Sequence, residues 1–220
     1  MWRHFQGRCN GGISQSLLVP STAPSQIPST TYAGTTQRDA LISFYNDANG
    51  DDWTINRFWL KEETVCNWYG LSCITGSGRK VSVVDLPLNN LTGTLSSEIG
   101  LLKLTRLSVF ENMLTGSIPS EIGLSSKLTF LGLDFNLFQG KIPSELGLLS
   151  SLTYLHLYEN HLTGTIPSEI GLSSKLNELY LNDNNFTGTL PIEICKLCAA
   201  NDLYVDISNT NIQVTADCGC

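Results

Sequence analysis

The sequence predicts an α/β repeat protein, a solenoid whose short strands stack into one parallel sheet between two cysteine-bearing caps. Three observations carry this. One asparagine with a fixed set of apolar residues recurs at a constant interval through the middle of the chain. Residues 114–133 and 162–181 are the same twenty-residue text with four differences, Ser117/Thr165, Thr129/Asn177, Phe130/Glu178 and Gly132/Tyr180. Of the seven cysteines, six flank the periodic region, two before it and four after it.

Taken in order, residues 1–35 are rich in Ser, Thr, Pro and Gly and read as a disordered linker or stalk. Their start is basic, but the apolar run ISQSLLVP is short and broken, unlike a secretory signal. Residues 36–80 read as an N-terminal cap. Thr36-Gln-Arg-Asp39 forms a capping-box pattern with Asp in the Glu position, opening a helix with Ala40, Leu41, Phe44 and Tyr45 on one face. NDANG then ends the helix. Asp47, Asn49 and Asp51 invite a calcium-loop reading, but Gly50 falls at the fourth position where such a loop has its glycine at the sixth, and Phe58 stands at the twelfth in place of glutamate, so a turn is the better account.

From Val81 to residue 194, five segments fit L-x-x-L-x-L-x-x-N, and their asparagines are Asn89, Asn112, Asn136, Asn160 and Asn184. The spacings are therefore 23, 24, 24 and 24. A fixed period in the twenties with this pattern defines a leucine-rich-repeat solenoid. The L-x-L centre alternates and reads as a short strand with leucines inward. One turn cannot bury its leucines alone, whereas stacked turns share a continuous core. The recurring asparagine is pinned between core leucines, where its amide both donates to and accepts from the backbone of the bend. Residues 195–220 hold a degenerate turn, with Val205, Ile207 and Ile212 in register and Thr210 in place of the asparagine, and a cysteine-rich C-terminal cap.

The cysteines Cys66, Cys73, Cys195, Cys198, Cys218 and Cys220 are expected to form disulfides in an oxidising compartment, and Cys9 is left over. Zinc is the rival reading of the C-terminal four. Cys218 and Cys220 are separated by one residue, too few for a zinc knuckle, so no metal and no cofactor is expected. A net charge of −7 with scattered Lys and Arg argues against a nucleic-acid partner. No run of about 20 apolar residues is present, so the sequence encodes no membrane span of its own.

After each asparagine the text L-T-G-x-I-P-x-E-I-G, nearly complete at 114–123 and 162–171, resembles the plant-type leucine-rich repeat. The cap segment, with DALISFY, Trp53, Trp59-Leu60 and Cys66-Asn-Trp-Tyr-Gly-Leu-Ser-Cys73, is similar to that family's N-terminal cap. The resemblance covers about residues 37–220, and the C-terminal cluster looks more like secreted microalgal members. It implies a curved, right-handed solenoid with its parallel sheet on the concave face, a Cys66–Cys73 pair, and an extracellular or cell-surface recognition role, as a receptor ectodomain or a secreted binder.

The solvent-facing strand positions carry the functional expectation. Phe110, Phe130, Phe135, Tyr154, Tyr158 and Tyr180 are set among Asp134, Glu159 and Asp183, with His156 beside them. These ten residues are the candidate ligand-binding set for a peptide, protein or glycan. Strand propensity alone also places aromatics in strands, and acidic neighbours also serve solubility. No enzyme is expected: Asp134 and Glu159 face each other across turns like a glycosidase pair, but an open sheet face does not desolvate them. Asn90 and Asn185 begin N-glycosylation sequons, which the repeat's own Thr supplies. An ice-binding or structural solenoid and an intracellular scaffold are the alternatives.

Overall fold

The structure, a computed structural model, describes residues 6–8, 35–61, 64–76, 78–201, 203–215 and 218. Cys9, Cys220 and most of the expected linker lie outside these residues. The N-terminal strand β1 (Gln6–Arg8) is followed by helix α1 (Gln37–Asp47), where Thr36 and Asp39 form the reciprocal capping box. Its Ala40, Leu41, Phe44 and Tyr45 are buried. The Tyr45 and Phe44 rings meet Trp53 and Trp59, and Trp59 continues to Trp68 at 4.9 Å between centroids. Trp53 and Trp59 donate their indole N–H groups to the carbonyls of Ala48 and Tyr69, so their polar atoms enter the core satisfied. NDANG is a turn: Asn49 is left-handed, a 3-10 turn spans Gly50–Asp52, and Asp51 accepts from the Tyr45 hydroxyl.

Strand β2 (Leu71–Ile74) pairs antiparallel with β3 (Lys80–Asp85), and Cys66 is disulfide-bonded to Cys73, with Cα atoms 5.6 Å apart. The large sheet then runs parallel through β4 (Arg106–Ser108), β5 (Phe130–Gly132), β7 (Tyr154–His156), β9 (Glu178–Tyr180) and β11 (Tyr204–Asp206). The register never slips: Val83, Arg106, Phe130, Tyr154, Glu178 and Tyr204 stand in one column. Between outward residues, Val84, Leu107, Leu131, Leu155, Leu179 and Val205 are all at most 1% exposed. At the far edge, β1 pairs antiparallel with β11, so residues 6–8, expected in a disordered linker, are a strand that closes an otherwise open sheet edge.

A second parallel sheet, of β6 (Gln139–Gly140), β8 (His161–Gly164), β10 (Asn185–Thr189) and β12 (Asn211–Gln213), was not expected from the single strand read per turn. It forms because the L-T-G-x segment also alternates, burying Phe138, Leu162 and Phe186 while His161, Thr163, Asn185 and Thr187 face out. Between the two sheets, 3-10 turns cover Ser97–Leu102, Ser120–Leu124, Ser144–Leu148 and Ser168–Leu172. Each packs on the next through a glycine; at Gly123 a Cβ would collide with the Glu145 carbonyl. In the last position α2 (Ile192–Asn201) replaces the 3-10 turn, and its Cys195 is disulfide-bonded to Cys218. Cys198, expected in a disulfide, is a free thiol. It lies on the same inward face as Cys195 and is 1% exposed, a core residue whose burial pushes the thiol up to about 11.

The recurring asparagine is the pin of each turn. Asn136 donates through Nδ2 to the carbonyls of Leu133 and Asp134 in its own turn and Val109 in the turn before, and its Oδ1 accepts from Leu114 N–H. Asn160 and Asn184 repeat this pattern one and two turns on. Asn89 instead bonds Ile55, tying the first turn to the cap. The residue before each pin is left-handed, with φ of 52, 52, 50, 51, 54 and 53° at Leu88, Glu111, Phe135, Glu159, Asp183 and Asn209.

Two outcomes follow from these bends. Asn136→Ala leaves the buried Leu114 N–H unpaired and takes one of two donors from the carbonyls of Val109, Leu133 and Asp134, which lowers unfolding free energy by about 2 kcal/mol in urea titration; a loss below about 0.5 kcal/mol would show that the cross-turn bonds do not hold the stack. A leucine in the left-handed region costs about 1–2 kcal/mol, and asparagine tolerates it better. Leu88→Asn therefore stabilises the chain by about 0.5–1 kcal/mol in the same titration, the order expected for relieving such a backbone.

Candidate functional site

The outward positions of the large sheet bring most of the expected residues together. Strands β5, β7 and β9 present Phe130, Tyr154, His156 and Tyr180, and the bends after them present Asp134, Phe135, Tyr158, Glu159 and Asp183. His156 is the hub. Its ring stands 5.3 Å from Phe130, 6.3 Å from Tyr154, 6.4 Å from Tyr158 and 4.8 Å from Tyr180. Phe135 meets Tyr158 edge to face at 5.1 Å, and Tyr158 meets Tyr180 at 5.9 Å. Because adjacent parallel strands lie about 4.8 Å apart, rings in one column or its neighbour pack side by side, and these rings span three turns. Phe110, one turn earlier, is half-buried and forms none of these ring pairs among the described residues.

Three residues outside the candidate set join the track. Arg106 stacks its guanidinium 3.8 Å from the Phe130 ring centre, and its Nε is 3.9 Å from a carboxylate oxygen of Asp85. Glu178 stands 3.1 Å from Nε2 of His156. Tyr204 of the degenerate turn extends the rings to 5.4 Å from Tyr180. Their signal was positional: Arg106, Glu178 and Tyr204 occupy the same register column as Phe130 and Tyr154.

The electrostatics differ from expectation at one residue. Asp134 is 4% exposed, and desolvation holds its carboxyl above the usual carboxylate range although the Tyr158 hydroxyl donates to it. An open sheet does desolvate this acid, because Tyr158 and the neighbouring bends roof it. In turn, burial first and the Asp134 charge second push the Tyr158 phenol up to about 12. The second carboxylate bearing on Asp134 is Glu111, not Glu159, and Glu159 is exposed at the rim. The Asp134–Glu159 acid–base pair therefore does not assemble. Glu121 and Pro143 help line a groove of about 560 Å³ beside the second sheet, away from these rings.

The sequons lie away from this face. Asn185 opens β10 on the second sheet and is exposed. Asn90 is exposed and left-handed, with Nδ2 donating to the Asp52 carbonyl at 2.8 Å. His161, expected to point away from the large sheet, is exposed on β8.

Constant-period turns, a parallel sheet of inward leucines and an asparagine pin at five successive bends make the chain a leucine-rich-repeat protein. The family model "Leucine Rich Repeat" matches residues 151–172 and 175–197. No curated protein matches the chain at a significant level. Among solved structures it is similar to the BIR3–SERK2 complex from Arabidopsis thaliana, at 27% identity over 79% of this chain and 93% of that one, with a TM-score of 0.65. The ectodomain of the receptor kinase SOBIR1 from Arabidopsis thaliana aligns at 25% identity, 80% and 94% coverage and a TM-score of 0.68. A PEPR1–AtPEP1 structure aligns at 33% identity over 80% of this chain but 25% of that one, with a TM-score of 0.68. The repeats are of the plant type.

The raised Asp134 fixes a sign. Its folded value lies above its unfolded value, so its ionisation costs stability, and that cost grows as pH rises from the unfolded value through the folded one. Asp134→Asn removes the charge and is expected to raise the melting temperature at pH 7 while leaving it level with the parent at pH 3. Scanning calorimetry at both pH values reads this, and an equal gain at pH 3 would assign the effect to packing instead.

Proposed function

We propose that the chain is a non-catalytic recognition module that binds a peptide or protein through the aromatic and acidic face of its large sheet. The observation that carries this is the ring track, in which Phe130, Phe135, Tyr154, His156, Tyr158 and Tyr180 adjoin across successive turns on an outward sheet face. Contiguous exposed aromatics of this kind are concentrated at interfaces, whereas isolated ones are not. Phe135 and Tyr154 are 42% and 36% exposed, so rings are available to a partner. Two similar structures are complexes, BIR3 with SERK2 and PEPR1 with AtPEP1, which supports a protein or peptide ligand over a glycan.

Two disulfides support an oxidising, extracellular or cell-surface location. Among the described residues no helix is long and apolar enough to cross a membrane. Glycans at Asn90 and Asn185 would extend from the second-sheet side and leave the ring track clear. An ice-binding surface would need unbroken rows, but Gln139 and Lys141 interrupt the outward threonines of the second sheet.

A peptide library displayed on phage and panned against the full chain tests the reading. Tyr154→Ala is expected to abolish capture of the selected peptides with an unchanged melting temperature. Capture that survives the substitution, or that falls only together with thermal stability, counts against the face.

A further inference from the structure

The large sheet's outer face repeats one chemical unit, and only one copy of it holds a cation among the described side chains. In the first three turns the unit is complete: the Asp85 carboxylate, the Arg106 guanidinium and the Phe130 ring lie in sequence, with the cation 3.8 Å from the ring centre. In the third to fifth turns the carboxylate and the rings recur. Asp134 is buried beneath the Tyr158 hydroxyl, Phe135 and Tyr180 stand edge-on to Tyr158 at 5.1 and 5.9 Å, and Glu159 and Asp183 rim the group. No Lys or Arg other than Arg106 occupies an outward strand or bend position from Ser82 to Asp183. Six carboxylates, at Asp85, Glu111, Asp134, Glu159, Glu178 and Asp183, thus share the face with a single guanidinium.

We propose that this face takes a basic peptide segment, seating one lysine or arginine side chain against Tyr158, Tyr180 and Phe135 with its charge toward Asp134 and Glu111. The inference rests on the recognition reading above and names the chemistry of the partner. Aromatic faces attract cations through the ring quadrupole, and the attraction grows as the site is desolvated. Asp134 supplies the desolvated partner charge. Burial already makes its ionisation unfavourable, and a bound cation offsets that penalty, so ligand and carboxylate stabilise each other. Arg106 on Phe130 shows that the rings of this sheet accept a guanidinium at stacking distance. The floor beside them is shallow: Ser108 and Gly132 are register partners, and the buried Ser108 hydroxyl has no hydrogen-bond partner among the described residues. The remaining acidic rim steers a basic chain toward the rings and rejects an acidic one.

The test uses the full chain and three fluorescein-labelled probes, hexa-arginine, hexaglutamate and a neutral Gly-Ser hexapeptide, read by fluorescence anisotropy at low ionic strength. Hexa-arginine is expected to bind at least tenfold more tightly than either other probe. The Asp134→Asn/Glu111→Gln double variant weakens it about tenfold or more, and Tyr180→Ala weakens it by about 2- to 30-fold, the range a cation–ring contact gives. A charge-matched control away from the face, Asp52→Asn/Glu121→Gln, leaves the affinity within twofold. Equal binding of hexa-arginine and hexaglutamate, or equal weakening by the control pair, overturns the proposal. The phage selection separates it from the recognition reading. Captured peptides that depend on Tyr154 but carry no excess of Lys and Arg refute the charge preference alone, whereas failure of every face substitution to affect any peptide refutes both.

Discussion

Each turn of this solenoid is held by one buried amide. A three-residue strand leaves the bend that follows it with carbonyls and N–H groups that no strand partner reaches, and leaving these dry and unpaired would cost more than the strand contributes. Asn112, Asn136, Asn160 and Asn184 fill that need from within, and each also reaches the preceding turn. The same side chain therefore closes its own bend and stitches it to its neighbour. That is why the register of six parallel strands is constant, and why outward residues fall into straight columns. The left-handed residue before each pin is the local cost of turning the amide inward. Leu88, Glu111, Phe135 and Glu159 bear it without the help that Asp183 and Asn209 have from their short polar side chains.

The columns impose a rule on what can change. Within a strand, two outward residues share one patch of space. In the third turn the Phe130 ring lies over Gly132, where even a Cβ would crowd it. In the fifth turn the same two positions are Glu178 and Tyr180; the acid turns to His156, and the ring turns to His156, Tyr158 and Tyr204. The two copies of an almost identical repeat thus exchange a large–small pair for an acid–large pair. The difference is coordinated, and it converts one end of the track from apolar to charged while the leucine core beneath stays the same.

Much of this was legible in the sequence because the signals are local and repeated. The inward leucines, the pins and the buried face of α1 each follow from a spacing that occurs within one turn. The L-T-G-x strands carry the same alternation, but they are only two to five residues long and sit between a pin and a proline, where a loop reads equally well. Pairing of residues 6–8 with β11 joins the two ends of the chain, and nothing in a Ser- and Thr-rich stretch encodes so distant a partner. Cys198 illustrates a different limit: three residues after Cys195 on a helix, it is as buried as Cys195 and Cys218, and which of the two helix cysteines meets Cys218 is set by the stacked cap and not by their spacing. Asp134 falls at an outward position of the repeat pattern and is nevertheless buried, because its desolvation depends on Tyr158 from the next turn, a contact that exists only once the turns are stacked.

The unslipping register has one further consequence for anything that lies across the strands. The sheet offers a fresh side chain at each strand spacing, about 4.8 Å, whereas an extended peptide offers same-side residues about 6.6 Å apart. The two rulers coincide only about every fourth turn of the solenoid. A ligand running along the stack therefore meets it as a vernier meets its scale, gripping at a few well-separated anchor points and passing loosely over the turns between them.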